Sequence, residues 1–178
     1  MPFSPFISKV LRVMRIAPTQ LQPNSWAFIR CFEIVCECFN FIPSYKLFFF
    51  FYKMNTNISV QSSHISLSGR NSCRRFNAYS SHAKNWQDKF FKIYLPKAVP
   101  QLFSFPDGRP KFPFYWTECP RINFAVELSS LTLDEQKIIS FLCELPIIDC
   151  RQLLGVANRG YGRRFLDRIC KYLFYWRV

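Results

Sequence analysis

The sequence predicts a mostly helical α+β fold, with an N-terminal helical group, a small central antiparallel sheet and C-terminal helices. Three observations carry that expectation. Apolar residues recur at helical spacing from Ser4 to Asn40, the stretch from Asn55 to Trp116 turns to β-branched residues, Ser, Gly and Pro, and a capping box at Thr132 introduces a further helix.

Ser4 is a natural N-cap and Pro5 suits the first helical position, so a helix is expected to start there and stop before Ala17-Pro18. Ile7, Val10, Leu11 and Met14 share one face of it, opposite Lys9, Arg12 and Arg15. Asn24 and Ser25 then offer caps for a second helix from Trp26 to Phe39, in which Arg30, Glu33 and Glu37 form a narrow stripe on an otherwise apolar cylinder. Such a helix belongs at the centre of a core. A third helix is expected after Pro43, carrying Leu47 and the run Phe48 to Phe51. At about 100° per residue four successive Phe rings cannot face one way, so they contact neighbours on several sides or leave rings for a partner.

Ile58 to Val60 and His64 to Leu67 read as short strands, and Lys89 to Leu95 alternates with Phe91, Ile93 and Leu95 on one face. Pro106-Asp107-Gly108-Arg109-Pro110 is a turn, since Pro presets one dihedral and Gly tolerates positive φ. Thr132 with Glu135 three residues later forms a capping box ahead of Ile138, Ile139, Leu142 and Leu145, and Pro146 stops that helix. After Gly160 and Gly162, Phe165, Leu166, Ile169, Tyr172, Leu173 and Trp176 oppose Arg163, Arg164, Arg168 and Lys171 as a basic amphipathic helix. Its basic face suits phosphates or anionic lipid, and its apolar face a partner or the domain itself.

Hydrophobic residues make up 49% and charged residues 20% of the 178, which excludes disordered and fibrous classes. The longest strongly apolar run, Leu47 to Tyr52, is far short of the roughly 18–20 residues that span a bilayer, so no transmembrane segment is expected. The N-terminus lacks the continuous apolar region of a secretory signal. Its acid-poor amphipathic pattern fits an organelle transit peptide as well as a first core helix, and a nuclear or cytoplasmic location is favoured over an organelle. Eight cysteines without a secretory signal imply reduced thiols, and none is paired at the two-residue gap of zinc sites. Core packing accounts for most of them, and neither metal nor cofactor is expected.

The net charge of +13 points to an acidic partner such as nucleic acid, RNA or DNA, or a membrane surface. It is uneven: residues 1–60 carry +4, residues 61–117 carry +7, residues 118–150 carry −4 and residues 151–178 carry +6. In the central segment Arg70, Arg74, Arg75, Lys84, Lys89, Lys92 and Lys97 interleave with Phe76, Tyr79, Trp86, Phe90 and Tyr94. Cations neutralise phosphates while aromatic faces stack on unpaired bases, so this patch is the candidate nucleic-acid site. The competing reading is a solvated basic face over a small aromatic core.

Several strings, in this order, resemble the N-terminal domain of plant proteins labelled gypsy-type transposon or transposase. SPFISKVLRVMRIAPTQLQPNSWAFIRCFEIVCECF (Ser4 to Phe39) is similar to that family's opening helices. ISLSGR (Ile65 to Arg70), KFFKIYL (Lys89 to Leu95), GRPKFPFYWTECPR (Gly108 to Arg121) and the LP..DCRQLL pattern (Leu145 to Leu154) follow. The resemblance spans residues 1–155 and leaves 156–178 as a divergent basic amphipathic tail. It departs from the family where Asn55 to Ser66 lacks the tryptophan that usually precedes a VSLS-like strand. The resemblance implies a gag-like, element-derived protein, a fragment without the family's long downstream regions, that binds nucleic acid or associates with itself. The alternatives are a DNA transposition enzyme and an inert element remnant.

A transposase needs three carboxylates converging on two metal ions. Asp88, Asp107 and Glu144 are the available trio, but Asp107 sits in a Pro/Gly turn and Glu144 ends a short helix beside Pro146. Ser80, Ser81 and His82 adjoin one another with no acid placed to orient the imidazole, and no glycine-rich phosphate loop is present. No catalytic centre is expected.

Overall fold

The computed structural model describes residues 3–56, 64–70, 74–79, 103–118, 120, 124–160, 162, 164 and 166. Helix α1 spans Pro5–Met14, and the Ser4 hydroxyl accepts from the Ile7 N–H at 3.1 Å, satisfying one of the donors that a helix start leaves open. Arg15 closes it in the left-handed region at φ 58°, with the Ile16 N–H reaching back to the Leu11 carbonyl at 3.2 Å. Phe6, Ile7, Val10, Leu11 and Met14 are buried, so the apolar face of this helix is a core face.

Helix α2 runs over Pro23–Cys38, three residues earlier than expected at its start, because Pro23 occupies the first helical position and Gln22 is the cap. Ser25 is not a cap. Its buried hydroxyl accepts the Leu67 N–H at 2.8 Å and so ties α2 to the sheet. The predicted stripe is an ion-pair ladder: Arg30 bonds Glu33, which is buried, and reaches Glu37 at 3.4 Å.

Helix α3, Tyr45–Phe51, is capped by the Ser44 hydroxyl, which accepts from the Leu47 N–H at 3.1 Å and donates to Glu135 at 3.2 Å. The Phe run turns inward on several sides, with Phe48, Phe49 and Phe51 fully buried. Phe48 is the hub. Its ring centroid lies 5.4 Å from Phe32, 5.4 Å from Phe49, 6.0 Å from Phe6 and 4.8 Å from Tyr52. Edge-to-face and stacked pairs at these separations add roughly 0.5–1.5 kcal/mol each beyond area burial.

Strand β1, Tyr52–Thr56, leaves α3 directly and pairs antiparallel with β2, Ile65–Gly69, in the register Tyr52 to Gly69 and Thr56 to Ile65. The second strand thus lies one residue later than expected at its start and two later at its end. Ile58 to Val60 and Lys89 to Leu95 lie outside the described residues. A second pair is parallel and only two residues long: β3, Phe76–Asn77, beside β4, Ile148–Asp149.

Helix α4 spans Leu133–Glu144 and carries the predicted capping box, with Thr132 accepting from the Glu135 N–H at 3.2 Å and Glu135 accepting from the Thr132 N–H at 3.1 Å. Helix α5, Cys150–Ala157, was not foreseen; Asp149 caps it by accepting from the Gln152 N–H at 2.9 Å, and it packs on α2. Gly162, Arg164 and Leu166 are helical and Leu166 is fully buried in the same core, while the rest of the basic amphipathic helix lies outside the described residues. The architecture is the expected mostly helical α+β.

The Ser25→Ala variant leaves the buried Leu67 N–H without its acceptor. A loss of about 1–3 kcal/mol is expected, read as a lower midpoint in urea denaturation, and an unchanged midpoint contradicts the role assigned to this hydroxyl.

Candidate nucleic-acid interface

Of the twelve residues in the central patch, Arg70, Arg74, Arg75, Phe76 and Tyr79 are described, and each of the three arginines bonds backbone carbonyls of the fold. Arg70 Nε donates to the Phe49 carbonyl at 3.2 Å and its Nη2 to Phe124 at 3.3 Å. Arg74 Nε donates to the Phe76 carbonyl at 3.0 Å. Arg75 Nη1 donates to the carbonyls of Leu142, Cys143 and Leu145 at 3.2, 2.8 and 3.1 Å, so it caps the end of α4 where carbonyls lack helical partners and the helix dipole favours a cation. Tyr79 is exposed, but Arg151 lies over its ring at 5.7 Å and donates to its carbonyl. Lys84, Trp86, Lys89, Lys92, Tyr94 and Lys97, with Phe90, lie outside the described residues.

A second basic surface lies on α1, where Lys9, Arg12 and Arg15 are exposed and no acidic residue precedes Glu33. A hairpin packs against this face. The Phe105 N–H bonds the Arg109 carbonyl at 2.8 Å, the Lys111 N–H bonds Phe103 at 2.8 Å, and Gly108 turns the chain at φ 82°, as its place in the Pro/Gly turn predicts. The Arg12 guanidinium stands 4.7 Å over the Phe105 ring and reaches the Lys111 carbonyl at 3.4 Å. Lys9 Nζ lies 5.3 Å from the Tyr45 ring centre. Between helix and hairpin is a cavity of about 550 Å³ whose wall includes Phe3, Ser8, Lys9, Arg12, Phe105 and Lys111.

Beyond the hairpin the string Phe112 to Thr117 is pinned at both ends. Phe112 is buried edge-on to Phe3 at 5.2 Å, and Gln20, fully buried, accepts the Thr117 N–H at 3.1 Å while its Nε2 donates to the Thr117 carbonyl at 3.0 Å. Between the pins Phe114, Tyr115 and Trp116 are 52, 85 and 51% exposed. Trp116 is oriented by an indole bond to Thr19 at 2.7 Å. Sequence reasoning had noted the α1 bases and quoted FPFYWT, yet placed neither in a site. The signal available was an acid-free amphipathic helix with three exposed bases.

Asp107 bonds its own Arg109 at 2.7 Å, and that contact holds its carboxyl below the usual carboxylate range. Glu144 is exposed at the end of α4, while Asp88 and Ser80 to His82 lie outside the described residues. Among the described residues no group of three His, Cys, Asp or Glu could hold a metal ion, and no helix is long and apolar enough to cross a membrane. Cys31, Cys36 and Cys150 are buried free thiols. The Cys31 thiol is pushed up by its contact with Cys150 and by burial, and burial beside Glu33 and Glu37 pushes Cys36 up to about 12. Cys31 and Cys36, with their thiols neutral at physiological pH, act as small core side chains.

Residues 1–56 match a family model described as "Putative gypsy type transposon". The match covers α1, α2, α3 and β1, in line with the resemblance over the opening helices, and ends short of the FPFYWT string. No curated protein and no solved structure matches the chain.

Replacing Arg75 by Ala strips three carbonyls of one charged donor. A loss of about 1.5–3 kcal/mol in urea denaturation is expected, and an unchanged midpoint would show that the guanidinium does not hold the end of α4.

Proposed function

We propose that this chain, transposon-related in its first 56 residues, is a non-catalytic, gag-like protein that binds RNA or DNA. The observation that carries the reading is the charge. With 24 Lys and Arg against 11 Asp and Glu, pairing within the chain leaves thirteen cations that need counter-charge from outside. A nucleic-acid backbone supplies it at high density, and binding then gains from release of condensed counterions.

The non-catalytic part of the proposal is supported by the acids. Asp107 is engaged by Arg109 within its own turn, and Glu144 lies at the end of α4, so among the described residues neither is presented with other carboxylates as a two-metal centre requires.

Fluorescence anisotropy with short single-stranded and duplex probes across a salt series tests the reading. Binding at low salt that weakens steeply as salt rises is expected, without divalent-metal-dependent nicking of the probes. Absence of binding even at the lowest salt overturns the nucleic-acid assignment, and metal-dependent nicking abolished by Asp107→Ala overturns the non-catalytic one.

A further inference from the structure

The cavity between α1 and the hairpin differs from an ordinary surface cleft in three respects. Its volume, about 550 Å³, falls within the roughly 300–1,000 Å³ typical of ligand sites. Among the described residues its wall carries three cations, Lys9, Arg12 and Lys111, and no carboxylate. The nearest acid in sequence, Asp107, is neutralised by Arg109 at 2.7 Å. A fourth feature is independent of charge. Ser8 forms part of the wall, is only 5% exposed, and its hydroxyl has no hydrogen-bond partner among the described residues. A buried hydroxyl in that state costs free energy unless a ligand atom completes it.

A chain of ring contacts leads from the cavity wall to the exposed aromatic string. Phe3 in its wall meets Phe112 edge-on at 5.2 Å, Phe112 meets Phe114 at 5.5 Å, and Tyr115 and Trp116 follow. Three consecutive aromatic side chains, each at least half exposed, are an unusual surface for an unliganded protein and mark a contact site.

We infer that this groove holds the phosphate backbone of a single-stranded nucleic acid, with Ser8, Lys9, Arg12 and Lys111 around the phosphates and unpaired bases stacked on Phe114, Tyr115 and Trp116. The inference rests on the nucleic-acid reading above and gives it a place and a strandedness. Cations together with exposed aromatic rings suit unpaired bases, whose faces are open, whereas a duplex buries its base faces in its own stack. Arg12 is already aimed: the Phe105 ring and the Lys111 carbonyl hold its guanidinium at the groove, so little side-chain freedom is lost when a phosphate enters.

Anisotropy with a fluorescein-labelled oligouridine and with a duplex of equal length tests it, using the full chain and two variants. Tyr115→Ala removes a side chain 85% exposed, so the fold tolerates it. It should weaken single-strand binding about 5- to 100-fold and leave duplex binding unchanged. The pair Lys9→Gln with Lys111→Gln should lower the salt slope of single-strand binding by about 1.4, since each phosphate contact contributes about 0.7. Wild-type binding that both variants retain in full overturns the groove and leaves the parent reading standing. No binding by the wild type overturns both. Loss of self-association in sedimentation on Tyr115→Ala, with oligouridine binding intact, overturns the groove in favour of a second copy of the chain.

Discussion

The buried amide of Gln20 is the constraint on which the groove between α1 and the hairpin depends. Its Oε1 accepts from the Ala17 N–H at 2.9 Å and from the Thr117 N–H at 3.1 Å, and its Nε2 donates to the Thr117 carbonyl. One side chain thereby closes the turn after α1 and fastens a segment of the chain 97 residues away. No carboxylate could replace it, because a Glu lacks the donor and would place a charge in a site with no solvent. With Thr117 held, Trp116 meets Thr19, Phe112 packs on Phe3, and the hairpin is brought against Arg12. The groove is the space left between two segments joined in this way.

Beneath the clamp, the many Phe residues form a core of interlocking rings. Phe6 on α1, Phe32 on α2, Phe48 on α3 and Tyr52 on β1 meet around one point, and Phe28 and Phe76 extend the stack on either side of Tyr52. Aromatic pairs prefer a few geometries over face-to-face contact, so such a cluster fixes element angles more narrowly than an aliphatic core of similar area. Rigidity here keeps α1 at a set distance from the hairpin. Arg70 and Arg75 turn inward on backbone carbonyls, whereas Lys9, Arg12 and Arg15 stay exposed on α1.

What was legible in the sequence was local. The Ser4 cap with Pro5, the Thr132 and Glu135 capping box, the turn at Gly108 and the inward Phe run each depend on residues within about one helical turn or one β-turn, and each stands where expected. What depended on distant partners was not legible. Ser25 looks like a helix cap until Leu67 claims its hydroxyl, and the two-residue parallel pair of β3 with β4 exists only because tertiary packing brings residues 76 and 148 together. Helix α5 is eight residues long and carries Arg151, Gln152 and Gly155, so its periodicity is weak until Asp149 caps it and α2 covers it. The bonds of the patch's arginines to backbone carbonyls were not legible for the same reason, since the carbonyls that Arg75 caps come from nearly seventy residues away. The groove joins residues 9 and 12 to residues 105 and 111, and no window along the chain contains both.

Photocross-linking of a 5-bromouridine single strand to the full chain, with the adducts located by mass spectrometry, tests the central claim most directly. Adducts on Tyr115 or Trp116 are the predicted result. Adducts confined to residues 84–97, with none on the string between Phe112 and Thr117, would contradict it.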